Sequence, residues 1–282
     1  MIIGEYRQRL KSLKGKATLI TGAGRGIGKR LALGLAEAGC RVALLARTDA
    51  ELQLAKLEIE ARGGEGHVYC ADVRDYEFLQ QTIHRIQEQI GEVEVLVTAA
   101  GVQGPIGPFW ESSRQDWNGA LETNLIGVMN AIRLVLPAMI ARRRGKIIVL
   151  GGGGISNARP NFSSYAAAKA ALGRMVETLS EELLDHNVQI NCLAPGNTYT
   201  HMTDQILEAG DTAGWRDQEM AVRVRRTGGV APSKQIEPTL FLASSQSNHI
   251  TGKIIHVDDD WRTLLESSPH PEMYTLRRVQ KV

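Results

Sequence analysis

Ala17-Thr18-Leu19-Ile20-Thr21-Gly22-Ala23-Gly24-Arg25-Gly26-Ile27-Gly28 is the stretch that decides the fold. Its first five residues are apolar or β-branched and read as a buried strand. The glycines follow at once, and a helix begins behind them with Leu31, Leu35 and Ala38 on one face. A glycine-rich turn between a strand and a helix start suits phosphate, because the backbone approaches closely and the free N–H groups attract negative charge. The spacing G-x-G-x-x-G is not written here, since Ile27 stands where its last Gly would be. The fit is T-G-x-x-x-G-x-G over Thr21, Gly22, Gly26 and Gly28. Strand before and helix after favour a nucleotide site over a plain turn.

Outward from this stretch the chain alternates strand and helix. A second strand, Arg41 to Ala46, ends without the acid that grips an unphosphorylated ribose. Arg47 follows, and with Arg25 it offers guanidinium groups suited to a 2′-phosphate. Asp49 is expected to cap the next helix. A third strand, Gly66 to Ala71, leads to Asp72-Val73, placed to meet an adenine edge. A fourth, Val93 to Thr98, runs into Ala99-Ala100-Gly101, small enough for a flat ring to lie against the backbone. A long helical region from about Asp116 to Arg144 carries Asn124, whose bland reading is a satisfied core amide. The fifth strand, Lys146 to Leu150, enters four glycines, Gly151 to Gly154.

Ser163-Ser164-Tyr165-Ala166-Ala167-Ala168-Lys169 opens a helix running to about Asp185, with the serines read as caps. Residues four apart share a helix face, so Tyr165 and Lys169 point into the same space. An ammonium beside a phenol favours the phenolate and suits the phenol to proton transfer. Then come strand Val188 to Leu193, Ala194-Pro195-Gly196, a segment 197–227 of the kind that covers a substrate pocket, a helix from about Ser233 to Ser244, and a last strand, Lys253 to Val257. Met1 to Leu13 reads as a surface arm, and the tail from Trp261 to Val282 as a candidate subunit contact.

The 282 residues show no linker, so a single α/β domain is expected. With 33 Lys+Arg against 31 Asp+Glu, no dominant nucleic-acid surface is expected. Cys40, Cys70 and Cys192 lack metal spacing and are expected to be reduced, packed thiols. No metal site, no apolar run of membrane-spanning length and no leader pattern is read, which points to a cytoplasmic protein.

Together Thr21-Gly22-x-x-x-Gly26-x-Gly28, Asp72, Ala99-Ala100-Gly101, Asn124, Tyr165-x-x-x-Lys169 and Pro195-Gly196 with Thr200 resemble the short-chain dehydrogenase/reductase family over about residues 14–257. The resemblance implies a single Rossmann-like, doubly wound domain with about seven parallel strands flanked by helices. It implies Tyr165 as general acid/base, Lys169 beside it and on the nicotinamide ribose, and Asn124 positioning a water. Thr198 and Thr200 would lie near the carboxamide, and Arg25 with Arg47 points to NADP(H) over NAD(H). A homodimer or homotetramer is expected through the helices near 116–144 and 164–185.

Three departures stand out. Thr98 occupies the family's usual Asn position, and Val257-Asp258-Asp259-Asp260 replaces a usual Val-Asp-Gly-Gly. The family's catalytic Ser lies thirteen positions before the Tyr, which here is Gly152. Gly153 offers no hydroxyl either, and Ser156 is a weak substitute. The expected activity is interconversion of a carbonyl and an alcohol on a small molecule. The alternatives are a nucleotide-binding protein without robust turnover, acting as a sensor or subunit partner, and a lyase or isomerase using bound cofactor.

Overall fold

The computed structural model describes residues 11–265 and 267–277. Strand β1 (Ala17–Thr21) is buried along its whole length and lies third, beside the central strand β4, in a seven-stranded sheet of order β3-β2-β1-β4-β5-β6-β7. The other strands are β2 (Arg41–Ala46), β3 (Glu65–Cys70), β4 (Val95–Thr98), β5 (Gly145–Leu150), β6 (Val188–Ala194) and β7 (Ile254–His256). All pairings are parallel. Parallel neighbours require crossover helices, which cover both faces and explain the near-continuous apolar strands. The strand order reverses between β1 and β4, where doubly wound sheets open a crevice at the carboxyl ends.

The helices are α1 (Gly26–Glu37), α2 (Asp49–Ala61), α3 (Tyr76–Ile90), α4 (Arg114–Leu121), α5 (Gly127–Ala141), α6 (Ser163–Glu182), α7 (His201–Glu208), α8 (Trp215–Thr227) and α9 (Pro232–Ala243). One core packs α1 and α9 on the sheet through residues such as Leu31, Leu35 and Phe241. The opposite face carries Leu79, Val135, Leu172 and their neighbours. A smaller cluster joins Phe162 and Tyr165 to Ile206, Ala213 and Ala221. It forms where the segment containing α7 and α8 folds over the start of α6.

Several boundaries differ from the sequence reading. The region expected as one helix from Asp116 to Arg144 is interrupted by a π-helical turn, Glu122–Ile126, and ends at Ala141 before the left-handed Arg143. The helical run 114–141 has 28 residues and is apolar enough, by length and composition, to cross a membrane, contrary to expectation. Its residues Val128, Ala131, Ile132, Val135 and Met139 are buried against the sheet and α3. Asp49 is not the cap of α2: Thr48 holds that position, and Asp49 lies in the first turn, accepting from Gln53. Ser163 and Ser164 do not cap α6 either. Phe162 precedes the helix, Ser163 Oγ accepts from Trp117 Nε1 at 3.0 Å, and the Ser164 hydroxyl is buried without a hydrogen bond.

Of the expected N-terminal arm, residues 1–10 lie outside the described residues, while Leu13 is fully buried in the core. The tail packs on its own chain. Trp261 stacks on Phe241 with ring centroids 5.3 Å apart, and Ile254 N donates to Tyr274 O at 2.7 Å, which covers the outer edge of β7. Residues 278–282 lie outside the described residues. Cys40 and Cys192 are buried and burial pushes their thiols up, to about 11 and about 12, whereas Cys70 is exposed rather than packed.

Candidate active site

The glycine-rich turn closes directly on the loop after β4. A Cβ on Gly22 would stand 2.6 Å from Ala100 N, and one on Gly28 would stand 2.2 Å from Gly22 O. No other residue fits at either position, so these contacts account for both motif glycines. Thr21 Oγ1 accepts from Ala100 N at 3.2 Å, tying the turn to Ala99-Ala100-Gly101. Ile27 packs against the core beside it. At the start of α1, whose N-cap is Arg25, no side chain caps the first-turn N–H groups, which suits them to a phosphate. Gly26 faces Thr200 across the cleft, with a Cβ there 3.3 Å from the threonine methyl group.

Beside the turn, Arg25 and Arg47, the latter just past the end of β2, are both exposed. Arg25 Nη1 pairs with Glu51 at 3.2 Å, and Glu51 packs against Gly24. Sequence reading missed Glu51, five residues past the end of β2, because its approach to the turn depends on how α2 crosses it. Asp72 is held bidentately by Arg74, whose Nη2 lies 2.6 Å from Oδ2. Burial raises the Asp72 carboxyl, but the hydrogen bonds and charge of Arg74 outweigh it and hold the group below the usual range. Val73 is buried, and its carbonyl accepts from Asn130.

Asn124 lies in the π-helical turn and is fully buried. Its Oδ1 accepts from Val102 N at 2.9 Å and its Nδ2 donates to Val102 O at 2.8 Å. The amide therefore splints the loop after β4, with Oδ1 3.0 Å from a Cβ position on Gly101. The wider turn, a feature common at functional sites, carries the side chain to that loop. Thr98 has a buried hydroxyl with no hydrogen bond, so this residue leaves the centre of the sheet one polar contact short.

Tyr165 and Lys169 lie on one face of α6, 9% and 5% exposed. Lys169 Nζ donates to Leu150 O, at the end of β5, at 2.8 Å and stands 5.5 Å from the centre of the tyrosine ring. The phenol oxygen reaches the backbone of Gly152, where a Cβ would be only 2.5 Å away. The glycine run and the phenol thus meet directly. Gly152, Gly153 and Ser156 line a cavity of about 600 Å³ that extends to Asn197, Arg223 and Lys234. Ser156 is exposed, and its hydroxyl accepts from Asn157. On the other wall, Pro195 and Gly196 turn the chain out of β6. Buried Gln235 donates to Pro195 O at 2.8 Å and Thr198 Oγ1 at 2.6 Å. Its position in α9 gave no sequence signal for this role. Thr200 caps α7.

A profile of the family described as short chain dehydrogenase matches residues 16–211. The chain is 31% identical to the 2,3-dihydro-2,3-dihydroxybenzoate dehydrogenase of Bacillus subtilis over 260 residues, 88% of this chain and 96% of the relative. Among solved structures it is similar to a gluconate 5-dehydrogenase from Burkholderia cenocepacia in complex with NADP and tartrate. The TM-score is 0.77 and the identity 28%, over 90% of this chain and 98% of that one. An NAD+-bound xylitol dehydrogenase superposes with a TM-score of 0.79 at 26% identity, covering 86% and 98%. With the sheet order, the glycine cradle and the Tyr165-Lys169 face already in place, these matches establish that the chain belongs to the short-chain dehydrogenase/reductase family of NAD(P)-dependent oxidoreductases.

Proposed function

We propose that this protein is an NADP(H)-dependent oxidoreductase that interconverts a carbonyl and an alcohol on a small organic substrate. The observation that carries the reading is the Tyr165 phenol, almost buried, facing the Gly152 backbone with Lys169 anchored below it by Leu150 O. The nicotinamide, when bound, supplies or accepts the hydride. Tyr165 gives its proton to the carbonyl oxygen in reduction and takes it back in oxidation. The Lys169 ammonium supports the charge on the phenolate, a contact between opposite charges in a water-poor site. Asn124, by holding Val102, keeps the floor of the cleft in place. The hydroxyl that Gly152 lacks is replaced by backbone N–H groups of the glycine run, which can approach a substrate oxygen closely.

The choice of NADP(H) rests on Arg25 and Arg47, and the NADP-bound gluconate 5-dehydrogenase is in keeping with it. The xylitol enzyme with NAD+ shows that the fold takes either dinucleotide, so the two arginines carry the distinction. Among the described residues, the face of α6 bearing Ala167, Ala170 and Ala171 is open to solvent at least in part. It supports association of two or four copies through α5 and α6.

A panel of ketones, keto acids, sugars and acyl thioesters, followed by absorbance of the reduced nicotinamide with both cofactors, tests the proposal. Turnover with NADPH on at least one carbonyl is expected. The glycine at the phenol also favours a second reading, a family member that binds the dinucleotide without robust turnover. Tight NADPH binding with no reaction across the panel would select that reading.

A further inference from the structure

The lid over the phenol is fastened at its far end by one ion pair. Arg159, in the loop between β5 and α6, donates to Asp217 Oδ1 from Nε at 3.0 Å and from Nη2 at 2.7 Å. Asp217 lies in the first turn of α8. The two side chains are only 14% and 17% exposed. The guanidinium carbon sits 3.9 Å over the Phe162 ring and 5.4 Å from the centre of the Tyr165 ring. Its stem and Nη1 also lie 3.5–3.8 Å from a Cβ position on Gly153. One side chain thus touches the glycine run, the phenol's neighbour in the core and the lid.

The surroundings make this contact consequential. The lid leaves the body at a narrow stem, where Val230 N donates to Asn197 O at 2.8 Å and Thr198 pairs antiparallel with Gly229. Beyond the stem, Gln218 Nε2 donates to the carbonyls of Ile206 and Gly210, which binds α7 and α8 into one body. That body rests on Phe162 and Tyr165 through Ile206, Ala213 and Ala221. Apolar contact is non-directional and permits sliding. Among the described residues, no other ion pair joins residues 200–227 to the rest of the protein. A shielded, two-bond contact fixes register where apolar packing does not.

We propose that Arg159 is a positioning residue: paired with Asp217, it holds α8 in register over the Tyr165 phenol without meeting the reacting atoms. The consequence for catalysis rests on the reading of Tyr165 as the proton-transfer group, whereas the fastening of the lid does not.

The test uses the full-length chain with Arg159→Met, Asp217→Asn, the double variant and Arg159→Lys. Hydrogen exchange of amides 201–227, with NADPH present, is expected to speed up about tenfold in each single variant. The double variant should be no faster than the faster single, because the two residues form one contact. Strands β1 and β4 should exchange as in the wild type. With a substrate from the panel, KM should rise about tenfold with a smaller fall in kcat, and Arg159→Lys should recover part of the loss. Wild-type exchange of the lid in both single variants would overturn the proposal. So would equal acceleration throughout the sheet, which would make the pair a general stability contact. Asp217→Asn behaving as wild type while Arg159→Met loses turnover would also overturn it, because Arg159 would then act on substrate directly. An inactive wild type would count against the oxidoreductase reading, and the exchange measurement would still decide the role of the pair.

Discussion

Gly152 is the residue on which sequence and structure bear most closely together. Its place thirteen positions before Tyr165 was countable in the sequence, but the consequence of a side chain there was not. A Cβ at that position stands 2.5 Å from the phenol oxygen, so Gly152→Ser must displace the buried Tyr165 ring. We expect kcat/KM to fall at least tenfold on whichever substrate the panel identifies; a tenfold rise would mean that the site lacks a hydroxyl it once used. Lys146 illustrates what no spacing rule reveals. It is a β5 residue, 6% exposed, with Nζ 3.1 Å from Ser247 Oγ. Burial pushes its pKa down to about 7, and the charge of Lys16 adds to the effect. Between that value and the ordinary 10.5 the unfolded chain holds a proton that the folded chain does not, so stability rises with pH across this window and is flat below it. Urea unfolding of the wild type against Lys146→Met should show the wild type losing ground by on the order of a few kcal/mol as pH falls from 10 to 7. A difference independent of pH would show that the lysine is not held neutral.

At the scale of elements, strand–turn–helix alternation was legible because each period is local, and the seven strands and the cradle followed from it. What was not legible are contacts between elements. Neither the π-helical turn at Asn124 nor the support of Thr198 by Gln235 has a signature in linear spacing. The same holds for Glu51, which α2 brings onto Arg25. On the proposed NADP(H) reading that pair bears on cofactor choice, since Glu51 would compete with a 2′-phosphate for the Arg25 guanidinium. Glu51→Gln should tighten NADPH about two- to fivefold, in line with the ~0.2–1 kcal/mol typical of an exposed pair. Arg47→Ala should weaken NADPH about tenfold, roughly 1.4 kcal/mol, and leave NADH unchanged. Fluorescence titration of both dinucleotides measures each effect. Unchanged NADPH affinity in Arg47→Ala would remove the basis for the NADP(H) assignment.

For the whole molecule, the tail changes what association can look like. The tail read as a candidate subunit contact also binds its own chain through residues 271–277. Lys253 Nζ donates to Pro271 O and Met273 O, and Glu177 accepts from Leu276 N and pairs with Arg277. Such long-range closure depends on where β7 and α6 end in space, which the sequence does not display. With the β7 edge covered, pairing through α5 and α6 is the expected mode, and light scattering at micromolar concentration should give a dimer or tetramer; a monomer would contradict it. The central claim is that the near-buried phenol at Gly152 moves the proton in a carbonyl/alcohol reaction. Comparing kcat/KM and NADPH affinity of Tyr165→Phe with the wild type, on the substrate found by the panel, tests it most directly. The prediction is a loss of at least ~10²–10⁴-fold in turnover, the range of general acid–base contributions, with NADPH affinity nearly unchanged. Full activity in Tyr165→Phe would leave Tyr165 as a packing residue of α6 and contradict the account.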